Sequence, residues 1–241
     1  MNTIYQNIVA AKAKGKKLLA VLIDPDKMKP QHVSGFISKV NASIITHVFV
    51  GGSEVNEGLT ETLVIEIKKH TALPVVLFPG DVIQITHKAD AILFLSLISG
   101  RNPEYLIGQH VKAISRLKHS QLEVIPTGYI LIENGKETAV QRVSKTQPLK
   151  RNHVTSIVHT AKAGELLGKQ LIYLEAGSGA TQPIDAHIIS QVAQELNIPL
   201  IVGGGIRNKK TIETTYNAGA DMIVIGTAFE HNESFLTELK K

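Results

Sequence analysis

Eight short apolar runs, rich in β-branched residues, recur along this chain of 241 residues. Most of the runs are continuous rather than alternating in polarity, which is typical of parallel strands covered on both faces. Most of the segments between them suit one helix and two loops, because apolar residues recur there at helical spacing. The runs occupy residues 18–23, 45–50, 74–78, 91–95, 122–126, 171–175, 199–203 and 222–226.

This alternation of strands and helices predicts an α/β fold, a TIM (β/α)8 barrel built as a single domain over residues 1–241. A doubly wound open sheet is the alternative. Two spacers break the pattern. Residues 79–90 are too few for an ordinary crossover helix, so the third helix of the barrel is expected to be irregular or missing. The spacer over residues 128–170 is unusually long. It predicts a hairpin or flap around Asn134-Gly135, beside the barrel mouth, and then a helix over 153–167.

In such barrels the active site lies at the carboxyl ends of the strands. We call the residues that directly follow a strand its exit. The last two exits carry Gly203-Gly204-Gly205 and Gly226-Thr227. Glycines let backbone N–H groups face phosphate oxygens, and a helix N-terminus adds partial positive charge. The two exits therefore predict a phosphate site, although tight turns alone would also use glycine.

The first two exits carry oxygen ligands, Asp24 and Ser53. Neighbouring strand ends place a carboxylate and a hydroxyl within reach of one hard cation, and Mg²⁺ accepts such sparse ligation when water and substrate phosphates complete it. The alternative is that Asp24 organises a turn or caps a helix and that Ser53 is a helix cap. Both interpretations stay open at this point.

Glu175 ends the sixth run, directly before Ala176-Gly177-Ser178-Gly179. A carboxylate at the end of a buried strand is costly without a partner. It is either half of a structural ion pair or an acceptor for a substrate hydroxyl, and in that position it could act as a general base. The glycines beside it favour the second interpretation, because they allow a ligand to lie against bare backbone.

Composition excludes several classes of site. The chain has no cysteine, so disulfides, thiolate metal sites and a cysteine nucleophile are ruled out. No run holds an interior lysine, which argues against a Schiff-base enzyme, and no exit holds a histidine, which disfavours an imidazole-ligated metal hydrolase.

The N-terminus has no secretory layout, so a cytoplasmic protein is expected. The net charge of +5 favours anionic ligands such as phosphates, whereas the absence of a basic and aromatic tract disfavours nucleic acid.

Five motifs together resemble the geranylgeranylglyceryl phosphate synthase family, which includes the heptaprenylglyceryl phosphate synthases. They are LIDPDK, FVGGS, YLEAGSGA, LIVGGGI and IVIGTAFE, and they occur in family order across nearly the whole chain. The resemblance implies a Mg²⁺-dependent prenyltransferase of lipid biosynthesis on a modified TIM barrel, in which a less regular segment replaces the third helix. Its substrates would be sn-glycerol 1-phosphate and a polyprenyl diphosphate, here geranylgeranyl diphosphate, and its products an ether-linked lipid phosphate and diphosphate.

Carried over position by position, the resemblance assigns roles to the motif residues. It gives Asp24 and Ser53 to Mg²⁺. The catalytic candidates are Asp24, whose Mg²⁺ would neutralise the diphosphate, and Glu175, which would accept the proton of the glycerol hydroxyl. The resemblance also implies a homo-oligomer, either a dimer or a hexamer. The hydrophobic prenyl substrate and the basic net charge suggest peripheral membrane contact. The substrate-binding residues would be Tyr173, Leu174, Glu175, Ala176, Gly177, Ser178, Gly179, Gly203, Gly204, Gly205, Gly226 and Thr227.

One position departs from part of the family. Some branches carry a lysine two residues before the first Asp, where this chain has Leu22, and this places the chain nearer the branch that often uses the C20 substrate. Phe94, Ile98 and Tyr105 are candidates for lining the prenyl groove. Three alternatives remain. The first is a heptaprenylglyceryl phosphate synthase, and the second is an isomerase or lyase that acts on a phosphosugar and would share the phosphate site. The third is a non-enzymatic phosphate sensor.

Overall fold

The computed structural model describes residues 3–231 and 234–240, and its strands form one closed parallel barrel in chain order, with β8 paired to β1. Closure confirms the TIM-barrel prediction and excludes the open sheet. The strands are β1 (Leu18–Ile23), β2 (His47–Val50), β3 (Val75–Leu77), β4 (Ala91–Leu97), β5 (Glu123–Leu131), β6 (Leu171–Glu175), β7 (Leu200–Gly203) and β8 (Met222–Ile225).

Helices cover the outside of the barrel and one end of it. The helices are α1 (Ile4–Ala13), α2 (Pro30–Asn41), α3 (Leu59–Lys68), α4 (Gln109–Leu117), α5 (Ala139–Ser144), α6 (Val154–Leu166), α7 (Ala186–Glu195), α8 (Lys209–Asn217), α9 (Thr227–His231) and α10 (Ser234–Glu238). Helix α2 illustrates why they form: Pro30 suits its first turn, and its apolar residues at helical spacing are the ones it buries. In the described part of the chain no helix has both the length and the apolar character needed to cross a bilayer.

Both faces of the strands are buried, which explains their continuous apolar runs. In β6, Leu171 and Tyr173 point into the barrel, while Ile172 and Leu174 pack outward against the helices. Because side chains alternate along a strand, the next inward position is Glu175. At the opposite end, α1 closes the barrel with Ile8, and the carboxylate of Glu123 accepts hydrogen bonds from the first backbone N–H groups of that helix, at 2.6 and 3.0 Å.

The third helix of the barrel is reduced to a short 3₁₀ helix, Val82–Gln84, which confirms the prediction from the short spacer. Asp81 caps it by accepting a hydrogen bond from the backbone N–H of Ile83 at 3.0 Å. A π-helical turn, Glu104–Gly108, precedes α4. The outer face of β3 and β4 therefore has less helical cover than the other strands.

The hairpin predicted around Asn134-Gly135 is wrong, but the segment does lie beside the barrel mouth, as predicted. The chain instead leaves β5, turns at these residues and forms α5, and Leu149 then returns to make a parallel bridge with Ile132. Asn134 is 2% exposed because its side-chain amide donates to the carbonyl oxygen of Ala176 in the β6 exit, so it is tied to a distant segment and does not form a free turn. The helix predicted over 153–167 is confirmed as α6.

Candidate active site

A cavity of about 400 Å³ opens at the carboxyl ends of the strands. It continues from the barrel mouth to the outer face of β4, beside the 3₁₀ helix that replaces the third barrel helix, where Ile92, Phe94 and Ala113 line it. The sequence-predicted residues that line it are Asp24, Ser53, Tyr173, Glu175, Gly177, Ser178, Gly179, Gly204, Gly205, Gly226 and Thr227. Residues from five different strand exits therefore share one space.

Three of the predicted substrate-binding residues do not line the cavity. Leu174 and Ala176 are fully buried and pack outward, in the layer between barrel and helices. Gly203 lies directly beneath the site: a Cβ added there would collide with the Tyr173 hydroxyl and lie 3.0 Å from Oε2 of Glu175. The role of Gly203 in the structure is to leave room for these two side chains.

Glu175 is 6% exposed, and it forms no ion pair with any residue in 3–231 or 234–240. Its Oε1 atom accepts a hydrogen bond from the backbone N–H of Gly177 at 2.6 Å. Burial raises the pKa of this carboxyl from 4.5 to about 7, although the Gly177 hydrogen bond and the neighbouring Tyr173 hydroxyl both lower it. The structural ion pair considered from the sequence is therefore absent from the described part of the chain, and the group has the pKa that suits a general base near neutral pH.

The hydroxyl of Tyr173 lies beside Glu175 and has no hydrogen bond of good geometry to any described residue. Burial, and then the neighbouring Glu175 charge, raises the pKa of Tyr173 well above its usual value of 10.0. A buried polar atom without a partner is costly, so this hydroxyl is suited to a ligand that would satisfy it. Tyr173 and Glu175 thus offer one donor and one acceptor at the same point of the cavity.

The glycine exits approach one another across the mouth. Gly204 has a φ of 85°, which favours glycine, and a Cβ added there would lie 2.5 Å from Oε1 of Glu175. The hydroxyl oxygens of Ser178 and Thr227 are 3.3 Å apart, which joins the β6 exit to the β8 exit. Arg207 also lines the cavity, and its guanidinium donates to the carbonyl oxygen of Ala180 at 2.7 Å. This wall combines bare backbone, hydroxyls and a cation, which are the groups that bind phosphate.

Asp24 and Ser53 lie at the other side of the mouth. Asp24 Oδ1 accepts a hydrogen bond from the backbone N–H of Asp26 at 3.1 Å, and Oδ2 lies 3.3 Å from the Lys27 ammonium. The carboxylate does organise a turn, but α2 begins after Lys29 and α3 after Gly58, so neither Asp24 nor Ser53 caps a helix. Nowhere in residues 3–231 or 234–240 do three or more His, Cys, Asp or Glu side chains enclose a metal position. One carboxylate and one hydroxyl fit Mg²⁺, which keeps waters and takes substrate phosphates.

Sequence reasoning missed Arg207, Asp81, Phe78 and Tyr129, all of which line the cavity. Arg207 had a detectable signal, since it stands just beyond the predicted phosphate-binding exit of β7. Asp81 stands at the exit of β3, to which no role was assigned. Phe78 and Tyr129 had none, because an aromatic residue at a strand end looks like core.

Two of the three predicted groove residues, Phe94 and Tyr105, do line the cavity. Ile98 does not, since its δ-carbon contacts Gly128 and Gly164 between β5 and α6. Leu22, where some branches have lysine, lies in the wall beside Gly226.

The sequence profile of the PcrB family matches residues 12–241. The chain belongs to the PcrB family. It is 56% identical over 235 residues to the geranylgeranylglyceryl phosphate synthase of Flavobacterium johnsoniae, covering 98% of this chain and 97% of that one. The enzyme of the same name from Zunongwangia profunda is 55% identical, over 97% of this chain and 99% of that one.

A solved structure has the same fold as this PcrB-family chain. It is (S)-3-O-geranylgeranylglyceryl phosphate synthase from Thermoplasma acidophilum in complex with sn-glycerol-1-phosphate. The two share 34% sequence identity and a TM-score of 0.93, over 99% of this chain and 96% of that one. The structural likeness and the high identity to named relatives show that the chain is an enzyme, a prenyltransferase of the PcrB family.

Proposed function

We propose that this enzyme joins sn-glycerol 1-phosphate to geranylgeranyl diphosphate, forming 3-geranylgeranylglyceryl phosphate and diphosphate. One observation carries the proposal: a single cavity contains the glycine-rich wall, the buried carboxylate of Glu175 and the carboxylate of Asp24, and then continues as an apolar groove. A small phosphate, a diphosphate and a long hydrocarbon each find a suitable part of that space.

The glycerol phosphate would lie against the β6, β7 and β8 exits. Its phosphate would accept hydrogen bonds from the backbone of Gly204 and Gly205 and from the hydroxyls of Ser178 and Thr227, with Arg207 supplying positive charge. Its reacting hydroxyl would then donate to Glu175. The complex of the Thermoplasma acidophilum enzyme with sn-glycerol-1-phosphate supports this choice of ligand.

The diphosphate would lie at the β1 and β2 exits, where Asp24 and Ser53 would hold Mg²⁺. When bound there, the ion would neutralise charge on the diphosphate and make it a better leaving group. Lys27 lies beside Asp24 and also lines the cavity, so its ammonium adds positive charge on the same side.

The reaction follows from holding the two substrates at opposite sides of the mouth. The bond between C1 of the prenyl chain and the diphosphate oxygen breaks, and its electron pair leaves with the diphosphate. The glycerol hydroxyl oxygen forms the new bond to C1, while Glu175 accepts the hydroxyl proton. A pKa of about 7 leaves much of Glu175 ionised at neutral pH, as a base requires. Fixing both reactants in one orientation lowers the entropic part of the activation free energy.

The prenyl chain would enter the groove beside the 3₁₀ helix. Tyr105 lies in this groove and is held by a hydrogen bond of 3.2 Å from its hydroxyl to the carbonyl oxygen of Val143 in α5. His110 also lines this part of the cavity; its ring meets Phe94 edge-on at 4.4 Å, and its Nε2 is 3.2 Å from Oγ of Ser96. The C20 chain is the proposed substrate, because Leu22 places this chain nearer the branch that often uses it.

The homo-oligomer would form through α4 and the turn before it. Ile107, Val111 and Ile114 lie at helical spacing on one face, and 60%, 66% and 55% of their surfaces are exposed. Replacing Val111 by Glu should convert the oligomer to a smaller species in light scattering coupled to gel filtration. Replacing the exposed Gln121, which lies beyond the end of α4, by Glu is the matched control, because it adds the same single negative charge outside the apolar face.

The central experiment incubates the protein with radiolabelled sn-glycerol 1-phosphate, Mg²⁺ and prenyl diphosphates of increasing length. An organic extract should contain a labelled lipid phosphate, formed fastest with the C20 substrate. A faster reaction with the C35 diphosphate would identify a heptaprenyl enzyme instead. No extractable product at any chain length would refute the transferase proposal and leave the isomerase, lyase or sensor alternatives.

A further inference from the structure

Four aromatic rings cluster inside the barrel at the base of the cavity. Phe78 is at the centre, stacked on Tyr173 with ring centroids 5.1 Å apart and planes 16° from parallel. Tyr129 lies 6.0 Å from Phe78 and 5.4 Å from Tyr173, and Phe49 lies 6.4 Å from Phe78. Phe78 is half-buried and lines the cavity, whereas Phe49 is 1% exposed and belongs only to the core.

Phe78 lies between the two sides of the site. On one side, the ring that stacks on it belongs to Tyr173, whose hydroxyl reaches the carboxylate of Glu175 beside Gly203. On the other, the main chain of Phe78 packs against Gly51, and the next residue along that strand exit, Gly52, contacts the carboxylate of Asp24. The contacts therefore run from the proposed base, through the stacked rings, to the proposed diphosphate side.

We infer that Phe78 is a catalytic residue whose ring stabilises the positive charge that develops on C1 of the prenyl chain; this rests on the proposed function. When the C1–O bond of the diphosphate breaks ahead of bond formation to the glycerol oxygen, C1 is electron-deficient and lies between the nucleophile and the leaving group. The face of an aromatic ring attracts such a charge, most strongly where water is excluded. Phe78 supplies this without a hydroxyl or carboxylate that the cation could alkylate.

The test removes electron density from the ring while keeping its shape. Phe78 is replaced, by site-specific incorporation, with mono-, di- and trifluorinated phenylalanine, and the single-turnover rate of ether formation is measured. We expect the rate to fall stepwise with each fluorine, by about tenfold in total, because fluorination weakens the attraction of the ring for a cation. The dissociation constant of glycerol 1-phosphate should not change. The same series at Phe49 is the matched control, and its rate should stay constant.

A binding measurement tests the same residue without turnover. A prenyl ammonium, in which a protonated amine stands in for C1, is compared by calorimetry with its neutral hydrocarbon counterpart, both with inorganic diphosphate present. Wild type should bind the ammonium more tightly, and Phe78→Leu should reduce this preference about tenfold. An equal preference in both proteins, or a flat fluorination series at Phe78, would overturn the inference. If wild type forms no ether at all, the proposed function fails, and the ammonium comparison still decides whether Phe78 binds a cation.

Discussion

Replacing Glu175 by Gln should make the protein more stable near pH 8 and at the same time inactive. The carboxylate is 6% exposed and accepts a hydrogen bond from Gly177, but no residue among 3–231 and 234–240 forms an ion pair that would compensate its burial. Glutamine has nearly the same shape and no charge. Its amide oxygen can keep the bond from Gly177, and its NH₂ group can donate to the unpartnered Tyr173 hydroxyl.

The magnitude follows from the pKa of Glu175, which burial raises from 4.5 to about 7. Since the folded protein binds this proton more tightly than the unfolded chain, the contribution of Glu175 to the free energy of unfolding is highest below about pH 4.5 and is lost as pH rises through 7. The shift corresponds to about 3 kcal/mol lost at high pH. Glutamine does not titrate, so the variant should gain up to about 3 kcal/mol over wild type near pH 8, or roughly 6–12 °C in Tm, and little near pH 5.

The assay is urea unfolding of both proteins by circular dichroism at several pH values between about 5 and 8. Glu165→Gln is the control. Burial tends to raise the pKa of Glu165, but hydrogen bonds from Lys162 and Asn197 outweigh it and lower that pKa, so this variant should be less stable than wild type near neutral pH. If Glu175→Gln raised the free energy of unfolding by the same amount at every pH, burial would not destabilise the ionised form of Glu175. The carboxyl would then have no raised pKa, and the physical basis for a general base at this position would be lost.

Three further outcomes are expected. The wild-type kcat/KM should rise with pH and level off above about 7, because Glu175 must lose its proton to act as a base; a profile that is flat through this range would exclude it. Asp24→Ala should reduce turnover more than about 100-fold, beyond the usual effect of losing an outer-shell partner, while circular dichroism stays unchanged; unaltered Mg²⁺ dependence would place the metal elsewhere. Gly204→Ala should lose measurable glycerol 1-phosphate binding in calorimetry, since its Cβ would lie 2.5 Å from the Glu175 carboxylate. Gly15→Ala has a similar positive φ with no neighbour within 4 Å, so it should cost only about 1 kcal/mol of stability and leave binding intact; equal binding loss in both variants would contradict the steric argument.

The sequence by itself determined the barrel and most of the residues at its mouth. Eight continuous apolar runs at regular spacing can bury both faces only in a helix-covered parallel sheet, and carboxyl strand ends meet at one rim of a barrel. The exits of β1, β2, β6, β7 and β8 could therefore be placed around one cavity, and the short spacer after β3 indicated the missing helix. These are consequences of local pattern and chain order.

The tertiary structure alone decided which side chains face the cavity and how they interact. Because both faces of these strands are apolar, polarity does not reveal which residues reach the cavity, so Ile98 and Leu174 could not be separated from Phe94 and Tyr173. The turn at Asn134 was misjudged since its side chain bonds to Ala176, a segment 42 residues away. Burial that raises the pKa of Glu175, and the stacking of Phe78 on Tyr173, arise likewise only when distant strands close into a barrel and exclude water from its interior.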